Sequence, residues 1–455
     1  MLVNTRYRNT ACILLSSLFY FYIAYFLDRT NFIFLCSIWF VLFACFYFLV
    51  QKPRLSFNNL VGIAFIFRLI FLFATPNLSQ DFYRFIWDGR MILEGLNPYL
   101  SLPETFIQNI NYPIAEVREL YAGMGELNGG HYTNYPPLNQ LCFLIAALFA
   151  SKSIFGSILV LRVLIILAEL GIFYFGKKLL QALQLPKHNI FWYTLNPFII
   201  IELTGNLHFE SVMLFFFIWG MYLLQKRKWI WAGVLIGCSI SVKLLPFFFL
   251  PLFFKVFIHK KSNLSLAKQW LQLIVFNLII LVTVIVFFLP FLSENLILNY
   301  ANSIGLWFGK FEFNASFYYL FRAIGYWFRG YNEIEIITKI TPILTILYLN
   351  YLTFFKKNNQ QKVLFISMLF GLCFYYFTST TIHPWYLATP LLLSIFTKYT
   401  FPVLWTLVII LSYQAYANLP WQENLWFVTL EYILLFSFII FEYKRQNKKA
   451  NIIFK

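Results

Sequence analysis

The chain has 455 residues, of which 60% are apolar and 12% are charged, and its formal net charge is +17. Apolar runs of about 17–25 residues, long enough to cross a bilayer as helices, recur from end to end. No polar stretch is long enough for a second, soluble domain, so the composition excludes a water-soluble protein and predicts a polytopic membrane protein. The positive charge does not indicate nucleic-acid binding, because the basic residues lie in short loops between the apolar runs.

These runs predict an all-α membrane protein with about 12–14 transmembrane helices. Several later runs are short, and "VKLLP" interrupts the pair that begins at residue 229. Short, proline-interrupted helices are tolerated at membrane depth where they line a cavity. The predicted spans lie near residues 11–27, 32–50, 58–75, 154–176, 189–203, 210–224, 229–242, 244–258, 270–291, 335–355, 362–379, 385–397, 402–417 and 424–442.

The loops between the spans differ in charge. With the N-terminus inside, the inner loops and both ends of the chain hold 23 Lys and Arg residues, and the outer loops hold eight. This asymmetry follows the positive-inside rule and predicts that both termini are cytoplasmic. The composition, rich in Phe and Lys and poorer in Arg, suggests an A+T-rich bacterial genome, so we expect a multi-pass protein of the bacterial inner membrane.

The run "PLNQLCFLIAALFA", 137–150, is too short for a comfortable span. Counting it as a span would also reverse the charge pattern of all later loops. We therefore expect it to be a re-entrant or interfacial helix.

The polar segments gather on the predicted outer face. The 76–136 loop holds "QDFYRFIWDGR" and "HYTNYPP", and the turn after residue 203 holds "ELTGNLHFE". The 292–334 loop holds "FEFNASFYYLFR", and "TSTTIHPWY" precedes residue 387. Polar groups from distant parts of the chain thus meet at one depth, which predicts a site that faces outward.

Asp81 is the candidate catalytic residue of the first outer loop. Two other acids there have basic partners at i,i+4 spacing, which stabilises a helix without any catalytic role: Asp88 with Arg84, and Glu94 with Arg90. Asp81 has only Arg84, at i+3. Its position near the end of a span is the least explained by local pairing.

Lys243 and His383 each allow two interpretations. Lys243 follows a long apolar segment, where an ionised group costs about 2.5–3.5 kcal/mol at the bilayer centre and less near the interface. It could extend to water or bind a phosphate as a point charge. His383, before "PWY", could belong to the interfacial aromatic belt or donate a hydrogen bond to a phosphate.

Four polar residues surround Gly205: Glu202, Asn206, His208 and Glu210. A capped, solvated turn and a substrate-contacting turn explain them equally well. The "HxE" of "NLHFE" has no cysteine or second histidine beside it, so zinc is not expected. The six cysteines lie in apolar segments without metal-ligand or redox spacing, so no cofactor is expected.

In this order along the chain, the motifs resemble those of the GT-C superfamily of integral-membrane glycosyltransferases. The likeness is to the transferase that adds the first mannose of glycosylphosphatidylinositol and to bacterial polyprenol-phosphate-mannose-dependent mannosyltransferases. It is densest over 81–260, in "DFYRFIWDGRMILEGLNPY", "YTNYPPL", "LNP", "GNLHFES" and "KLLP". "FNASFYYL" and "WYLATPLL" extend it weakly to residue 392.

The resemblance implies a GT-C-like bundle over 58–455 with a large extracytoplasmic catalytic loop, 76–136, that contains interfacial helices. Residues 1–57 would add two transmembrane helices outside the matching part. Family members often carry Asp-x-Asp in this loop, whereas Ser79 occupies the first position here. Asp81 is then the sole match to the acidic motif, and metal dependence stays open.

Together, the outward site and the resemblance lead to one hypothesis for the reaction. Cytoplasmic nucleotide sugars cannot reach an outward site, and a polyprenyl-phosphate sugar can. We expect inverting transfer of mannose from polyprenyl-phosphate-mannose to a lipid-linked or other extracytoplasmic glycan acceptor, with Asp81 as general base. Cations would stabilise the leaving phosphate, and the candidates are Lys243, Arg322 and His383. Residues expected to bind substrate or order the loop are Asp88, Arg90, Tyr135, Glu202, Asn206, His208, Glu210 and Tyr386.

Two alternatives remain open from the sequence. A transferase of the same fold could use another sugar, such as a glucosyl or arabinosyl donor. A transporter or flippase of lipid-linked saccharides would form no bond, and it should show internal repeats or acids within its spans, of which this chain shows few.

Overall fold

The computed structural model of the chain describes residues 2–51, 55–110, 112–150, 152–309, 311–418 and 421–453. In these ranges the regular structure is helical, and the β-type pairing is one isolated bridge between Phe313 and Thr381. The all-α class predicted from the sequence is confirmed. Four basic residues that enter the predicted charge asymmetry lie outside the described ranges: Lys52, Arg54, Lys310 and Lys455.

The described ranges form twenty α-helices, α1 to α20 in chain order. Three of them, α3, α8 and α13, begin after a serine whose hydroxyl accepts a backbone N–H, as is favourable at a helix start. The helices are α1 (Leu2–Tyr25), α2 (Phe32–Gln51), α3 (Phe57–Ile70), α4 (Asp81–Leu93), α5 (Pro103–Gln108), α6 (Val117–Gly129), α7 (Pro137–Ala150), α8 (Ile154–Ala182), α9 (Phe191–Thr194), α10 (Glu210–Gln225), α11 (Trp229–Val242), α12 (Phe254–Phe257), α13 (Leu266–Phe288), α14 (Leu296–Gly309), α15 (Phe317–Arg329), α16 (Ile334–Phe355), α17 (Gln361–Thr378), α18 (Ala388–Ser394), α19 (Phe401–Val408) and α20 (Leu425–Ile453).

Six of the described helices are long and apolar enough to cross a membrane: α2, α8, α13, α16, α17 and α20. The segment Ile199–Gly205 and α10 could together form a seventh span, bent by 109°. Five shorter apolar helical segments of 10–17 residues accompany them. The structure is thus that of a polytopic membrane protein. The count of 12–14 spans and the sidedness of the termini stay predictions, as does the crossing of α1, which is not among the six.

The short run 137–150 forms α7, a helix of 14 residues. At about 1.5 Å per residue it is about 21 Å long, less than the hydrocarbon core of about 30 Å. It packs against α4, α8 and α11, so it lies inside the helical assembly. Its length fits the predicted re-entrant or interfacial helix, which stays a prediction.

The chain between α8 and α10 differs from the single span predicted over 189–203. It consists of a 3₁₀ turn (Lys187–Ile190), α9, and a π-helix (Ile199–Gly205). Pro197 has no N–H with which to continue α9, and the side chain of Asn196 accepts the N–H of Phe198 at 3.0 Å. The π-helix is buried throughout, where protein groups can satisfy an irregular backbone at membrane depth.

A buried ion pair joins α3 to α8. The guanidinium of Arg68 donates to Glu169 at 2.9 Å, and both side chains are fully buried. Arg68 also donates to the carbonyl of Thr194 at 2.7 Å. Glu169 accepts from Tyr193 at 3.0 Å and from Ser211 at 2.7 Å. Charges buried among apolar helices are stable only when paired and hydrogen-bonded in this way.

A second buried arginine, Arg162 on α8, binds carbonyls instead of a carboxylate. Its guanidinium donates to the backbone carbonyls of Thr204 and Gly205 in the last turn of the π-helix, both at 2.9 Å. It also donates to Leu72 at 3.1 Å and to Ala74 at 2.5 Å, in the segment after α3. Arg162 and Glu169, the two buried charged residues of this helix, thus have separate partners.

We predict that Glu169→Leu strongly destabilises the protein, because it leaves the Arg68 guanidinium buried without its carboxylate. Removing one partner of a buried pair costs about 3–5 kcal/mol. Thermal unfolding in detergent measures the effect. The matched control is Glu335→Gln, which removes the exposed pair with Lys339 on α16 and should leave the melting temperature unchanged. Equal melting temperatures for wild type and Glu169→Leu would contradict this account of the core.

Candidate active site

The loop predicted over residues 76–136 is fixed to the bundle through Asp88, which is fully buried on α4. Asp88 accepts from Arg84 at 2.8 Å, the i,i+4 pair expected from the sequence. It also accepts from the amide of Gln140, on α7, at 2.9 Å. Gly89 permits this close packing, because a Cβ there would lie 2.2 Å from the carbonyl oxygen of Phe143. Asp88 therefore holds α4 against α7.

Arg84 and Arg90 extend this support to the rest of the loop. Arg84 donates to the carbonyls of Asn128 at 2.7 Å and His131 at 2.8 Å. Arg90 binds Glu116 at 2.8 Å, a partner 26 residues away, in place of the i,i+4 partner Glu94. Asp88 and Arg90 thus occupy positions that order the loop.

Asp81 is the first residue of α4 and is partly buried. Its backbone N–H donates to the hydroxyl of Ser79 at 3.3 Å. Burial raises the pKa of the Asp81 carboxyl to about 6, while the positive charge of Lys243 opposes and the negative charge of Glu210 adds to this rise. The carboxyl therefore lies close to two charged residues that are far away in the sequence.

Lys243 follows α11 and is the cation of this site. Its ammonium pairs with the carboxylate of Glu210, the first residue of α10. It also lies 4.9 Å from the centre of the Tyr386 ring, a favourable position for a cation. The Lys243 side chain is 31% exposed, and Glu210 is 3% exposed. An ammonium has three N–H donors, so a lysine held by one carboxylate can also bind an anion.

Two histidines enclose Trp385. The ring of His208 stacks on Trp385 at 3.9 Å, and the ring of His383 stacks on it at 4.6 Å with an angle of 2° between the planes. Burial and the neighbouring charge of Lys243 lower the pKa of His383 to about 3. Its imidazole is therefore neutral at physiological pH, and a neutral imidazole offers hydrogen bonding but no positive charge.

Glu202 in the π-helix and Asn206 directly after it are buried polar residues. Glu202 accepts from the hydroxyl of Tyr413 and, at 3.4 Å, from the amide of Asn206. The Nε2 atom of His208 lies 3.8 Å from Glu202. The side-chain oxygen of Asn206 accepts the N–H of Leu78 at 3.4 Å, just before α4. Asn206 thus connects the end of the π-helix to the loop, and Glu202 connects the π-helix to Tyr413; both residues are fully buried.

Tyr135 lies beside Asp81 on the loop. Its carbonyl accepts from the hydroxyl of Tyr99 at 2.7 Å, and its ring meets Phe85 edge-on at 5.0 Å. Burial, together with the negative charge of Asp81, raises the pKa of the Tyr135 hydroxyl well above its ordinary value. The phenol is a neutral hydrogen-bonding group next to the carboxyl.

Arg322, predicted to join Lys243 at a phosphate, has different partners. It pairs with Glu312, and its guanidinium lies 4.4 Å from the centre of the Tyr319 ring. This pair belongs to a second cluster, which also includes Glu423 and Tyr319. Sequence reasoning missed this cluster and the central ring of Trp385, although acids in an outer loop and the "HPWY" motif were available as signals.

Among the described residues, no group of three His, Cys, Asp or Glu side chains is arranged to hold a metal ion. The six cysteines of the described ranges are free thiols. The groups assembled around Asp81 are thus carboxyl groups, one ammonium, neutral imidazoles and phenols. Such groups can bind hydroxyls and phosphates and can transfer protons.

The described helices and the carboxyl–lysine site are those of a helical membrane protein, and comparison with known families identifies its family. A family model described as "Alpha-(1->6)-mannopyranosyltransferase, N-terminal domain" matches residues 7–259, more than half of the chain, and the chain belongs to this family. The match confirms the predicted resemblance to membrane mannosyltransferases. It takes in most of residues 1–57, which the sequence analysis sets apart, and the division at residue 58 stays a prediction.

Two relatives from Corynebacterium glutamicum are similar to the chain at low identity. Alpha-(1->6)-mannopyranosyltransferase B is 24% identical over 194 residues, which cover 39% of this chain and 31% of the relative. Alpha-(1->6)-mannopyranosyltransferase A is 23% identical over 202 residues, which cover 44% of this chain and 39% of the relative. The chain thus spans between 31% and 39% of the length of these relatives.

We predict that Gly89→Ala destabilises the protein, because the added methyl group would meet the backbone of α7 and force α4 away from it. Overpacking of this kind typically costs about 1–3 kcal/mol. The matched control is Gly62→Ala on α3, where a Cβ meets nothing within 4 Å and the better helix propensity of Ala should maintain or raise stability. Melting temperatures in detergent compare the two variants. A Gly89→Ala protein as stable as Gly62→Ala would refute the close packing of these helices.

Proposed function

We propose that the protein is an inverting glycosyltransferase that moves mannose from polyprenyl-phosphate-mannose to an extracytoplasmic glycan acceptor. The observation that carries the proposal is the Asp81 carboxyl, with its pKa raised to about 6, beside the Lys243–Glu210 pair. Membership of the α-(1→6)-mannopyranosyltransferase family supports mannose as the sugar. The names of the two relatives lead us to propose an α-(1→6) linkage in the product.

In the proposed reaction, Asp81 is the general base. As the acceptor hydroxyl oxygen attacks the anomeric carbon of mannose, its proton passes to the Asp81 carboxylate. The bond between that carbon and the donor phosphate breaks with its electron pair on the phosphate oxygen, so the products are the mannosylated acceptor and polyprenyl phosphate. A base with a pKa near 6 is mostly ionised at neutral pH and still takes up a proton readily.

Lys243 stabilises the leaving phosphate, because its fixed positive charge offsets the negative charge that develops there. Glu210 and the Tyr386 ring hold the ammonium in place. We therefore assign Glu210 to the positioning of Lys243. His383 is neutral, and we propose that it donates a hydrogen bond to the same phosphate. Arg322 is not included, because its partners, Glu312 and Tyr319, belong to the second cluster and not to the group around Asp81.

The remaining candidates fall into two groups. We propose that Asp88, Arg90, Glu202 and Asn206 position the loop and the π-helix, because each is engaged by protein groups. We propose that Tyr135 and His208 contact the sugar, since both border the charged cluster. A site built on such a supported arrangement keeps its reacting groups in a fixed geometry.

A lipid-linked donor fits the surroundings of the site. Lys243 and Glu210 lie at the ends of apolar helices, so a phosphate bound there has its lipid chain at membrane depth. Basic residues are in excess in the predicted inner loops, on the side of the membrane opposite to the site. This excess supports an extracytoplasmic site and cytoplasmic termini. We therefore propose an inner-membrane enzyme whose substrates meet on the outer side.

We predict that Asp81→Asn lowers transfer by about 10²–10⁴-fold, the contribution expected of a general base. The assay measures radiolabelled mannose moved from synthetic polyprenyl-phosphate-mannose to octyl α-D-mannopyranoside in proteoliposomes. The matched control is Asp28→Asn, an exposed carboxylate on the same predicted side, which should retain wild-type activity.

Three results would decide the matter. Loss of transfer in Asp81→Asn alone supports Asp81 as the base. Full transfer by Asp81→Asn contradicts this assignment. If wild type transfers no mannose from this donor but does transfer another sugar from its polyprenyl phosphate, the proposed donor is wrong.

A further inference from the structure

A second polar cluster lies on the outer loops and takes no part in the proposed chemistry. Glu423 accepts the backbone N–H of Asn314 at 2.6 Å and the hydroxyl of Tyr319. Glu312 pairs with Arg322 and accepts from the amide of Asn332 at 2.6 Å. Burial raises the pKa of the Glu423 carboxyl. The cluster thus concentrates carboxyl groups at a partly exposed position.

A series of packed aromatic rings connects this cluster to the candidate active site. From Trp385 the stack continues to His383, then to Phe313 at 5.4 Å and 30°. Trp421 follows, 6.0 Å from Phe313 and 6.4 Å from Phe311. Trp421 is 44% exposed, so this end of the stack offers an aromatic surface to a ligand.

The ring of Tyr416 packs beside this stack. It lies 6.0 Å from the ring of Phe313 and 5.7 Å from the ring of Tyr413, and the hydroxyl of Tyr413 donates to Glu202 of the candidate active site. Trp421 is thus joined to the candidate active site by two routes of packed rings, and Glu423 follows it two residues later.

The chemistry of these groups suits a hexopyranose. Sugar hydroxyls donate to carboxylates, and a carboxylate has about four acceptor positions, so Glu423 can accept more than the two donors described. The C–H face of a pyranose is apolar and packs against an aromatic ring, as other apolar groups do. The alternative is that Trp421 is an interfacial belt residue, whose ring would contact lipid.

We propose that Trp421 and Glu423 bind a sugar of the acceptor glycan, the one next to the residue that receives mannose. The inference rests on the proposed function, because Asp81 must act on the acceptor for this arrangement to hold. The donor carries a single sugar, and its phosphate is assigned to Lys243, so a second sugar held at the rim formed by Trp421 and Glu423 belongs to the acceptor. The rim sets a preference for acceptors of two or more sugars.

The test compares two acceptors, octyl α-D-mannopyranoside and octyl α-D-mannopyranosyl-(1→6)-α-D-mannopyranoside. We expect wild type to use the disaccharide with a higher kcat/KM than the monosaccharide. In Trp421→Ala this ratio should fall by about 3- to 10-fold, the fold-change that corresponds to one aromatic contact of about 0.7–1.4 kcal/mol. The matched control is Trp426→Ala, which removes an 82% exposed tryptophan five residues further along and should keep the wild-type ratio.

A binding measurement separates this inference from the proposed function. Saturation-transfer NMR with the disaccharide needs no donor and no turnover, and Glu423→Gln serves as a second variant. Binding to wild type and Trp426→Ala, with weaker binding to Trp421→Ala and Glu423→Gln, supports the rim. Binding to Trp421→Ala equal to wild type, or an unchanged acceptor ratio, overturns it. Wild-type binding without transfer contradicts the proposed function alone.

Discussion

The Lys243–Glu210 ion pair is the interaction on which the candidate site depends. It joins the end of α11 to the start of α10 at the depth of Asp81, so that one cation and two carboxyl groups share a partly buried space. A lone ammonium there would extend to water, and a lone carboxyl would take up a proton. The pairing of Lys243 with Glu210 holds the ammonium at a partly exposed position, where we propose that a phosphate binds. Asp81, which is not part of this pair, is the group that we propose takes up a proton.

Charged residues buried elsewhere in the bundle also have hydrogen-bonding partners, and these contacts hold the helices around the site. Arg68 and Arg162 are buried in the bundle, and each guanidinium has protein partners, Glu169 for Arg68 and four backbone carbonyls for Arg162. Arg162 binds the last turn of the π-helix to the chain before α4, and Asp88 binds α4 to α7. Because fully hydrogen-bonded buried networks make a structure rigid, these contacts fix Asp81 relative to the residues that follow the π-helix.

The sequence predicted the class of fold, the family and the polar segments that meet at the site, because spans and charged loops are visible as local composition. The pair Arg84–Asp88 was predictable from its i,i+4 spacing. Contacts over long distances in the chain were not: Arg90 binds Glu116, Arg322 binds Glu312, and Trp385 lies between two histidines. Local pattern also missed the break at Pro197, since the flanking residues are as apolar as a continuous span.

The pH dependence of transfer is the measurement that tests the arrangement of Asp81, Lys243 and Glu210 most directly. For wild type, kcat/KM should rise with pH and level off above an apparent pKa near 6, because the base acts only when ionised. Lys243→Gln removes a positive charge beside Asp81 and should raise that pKa, whereas Glu210→Gln removes a negative charge and should lower it. A profile that is flat between pH 5 and 8, or a midpoint that neither variant moves, would contradict the account.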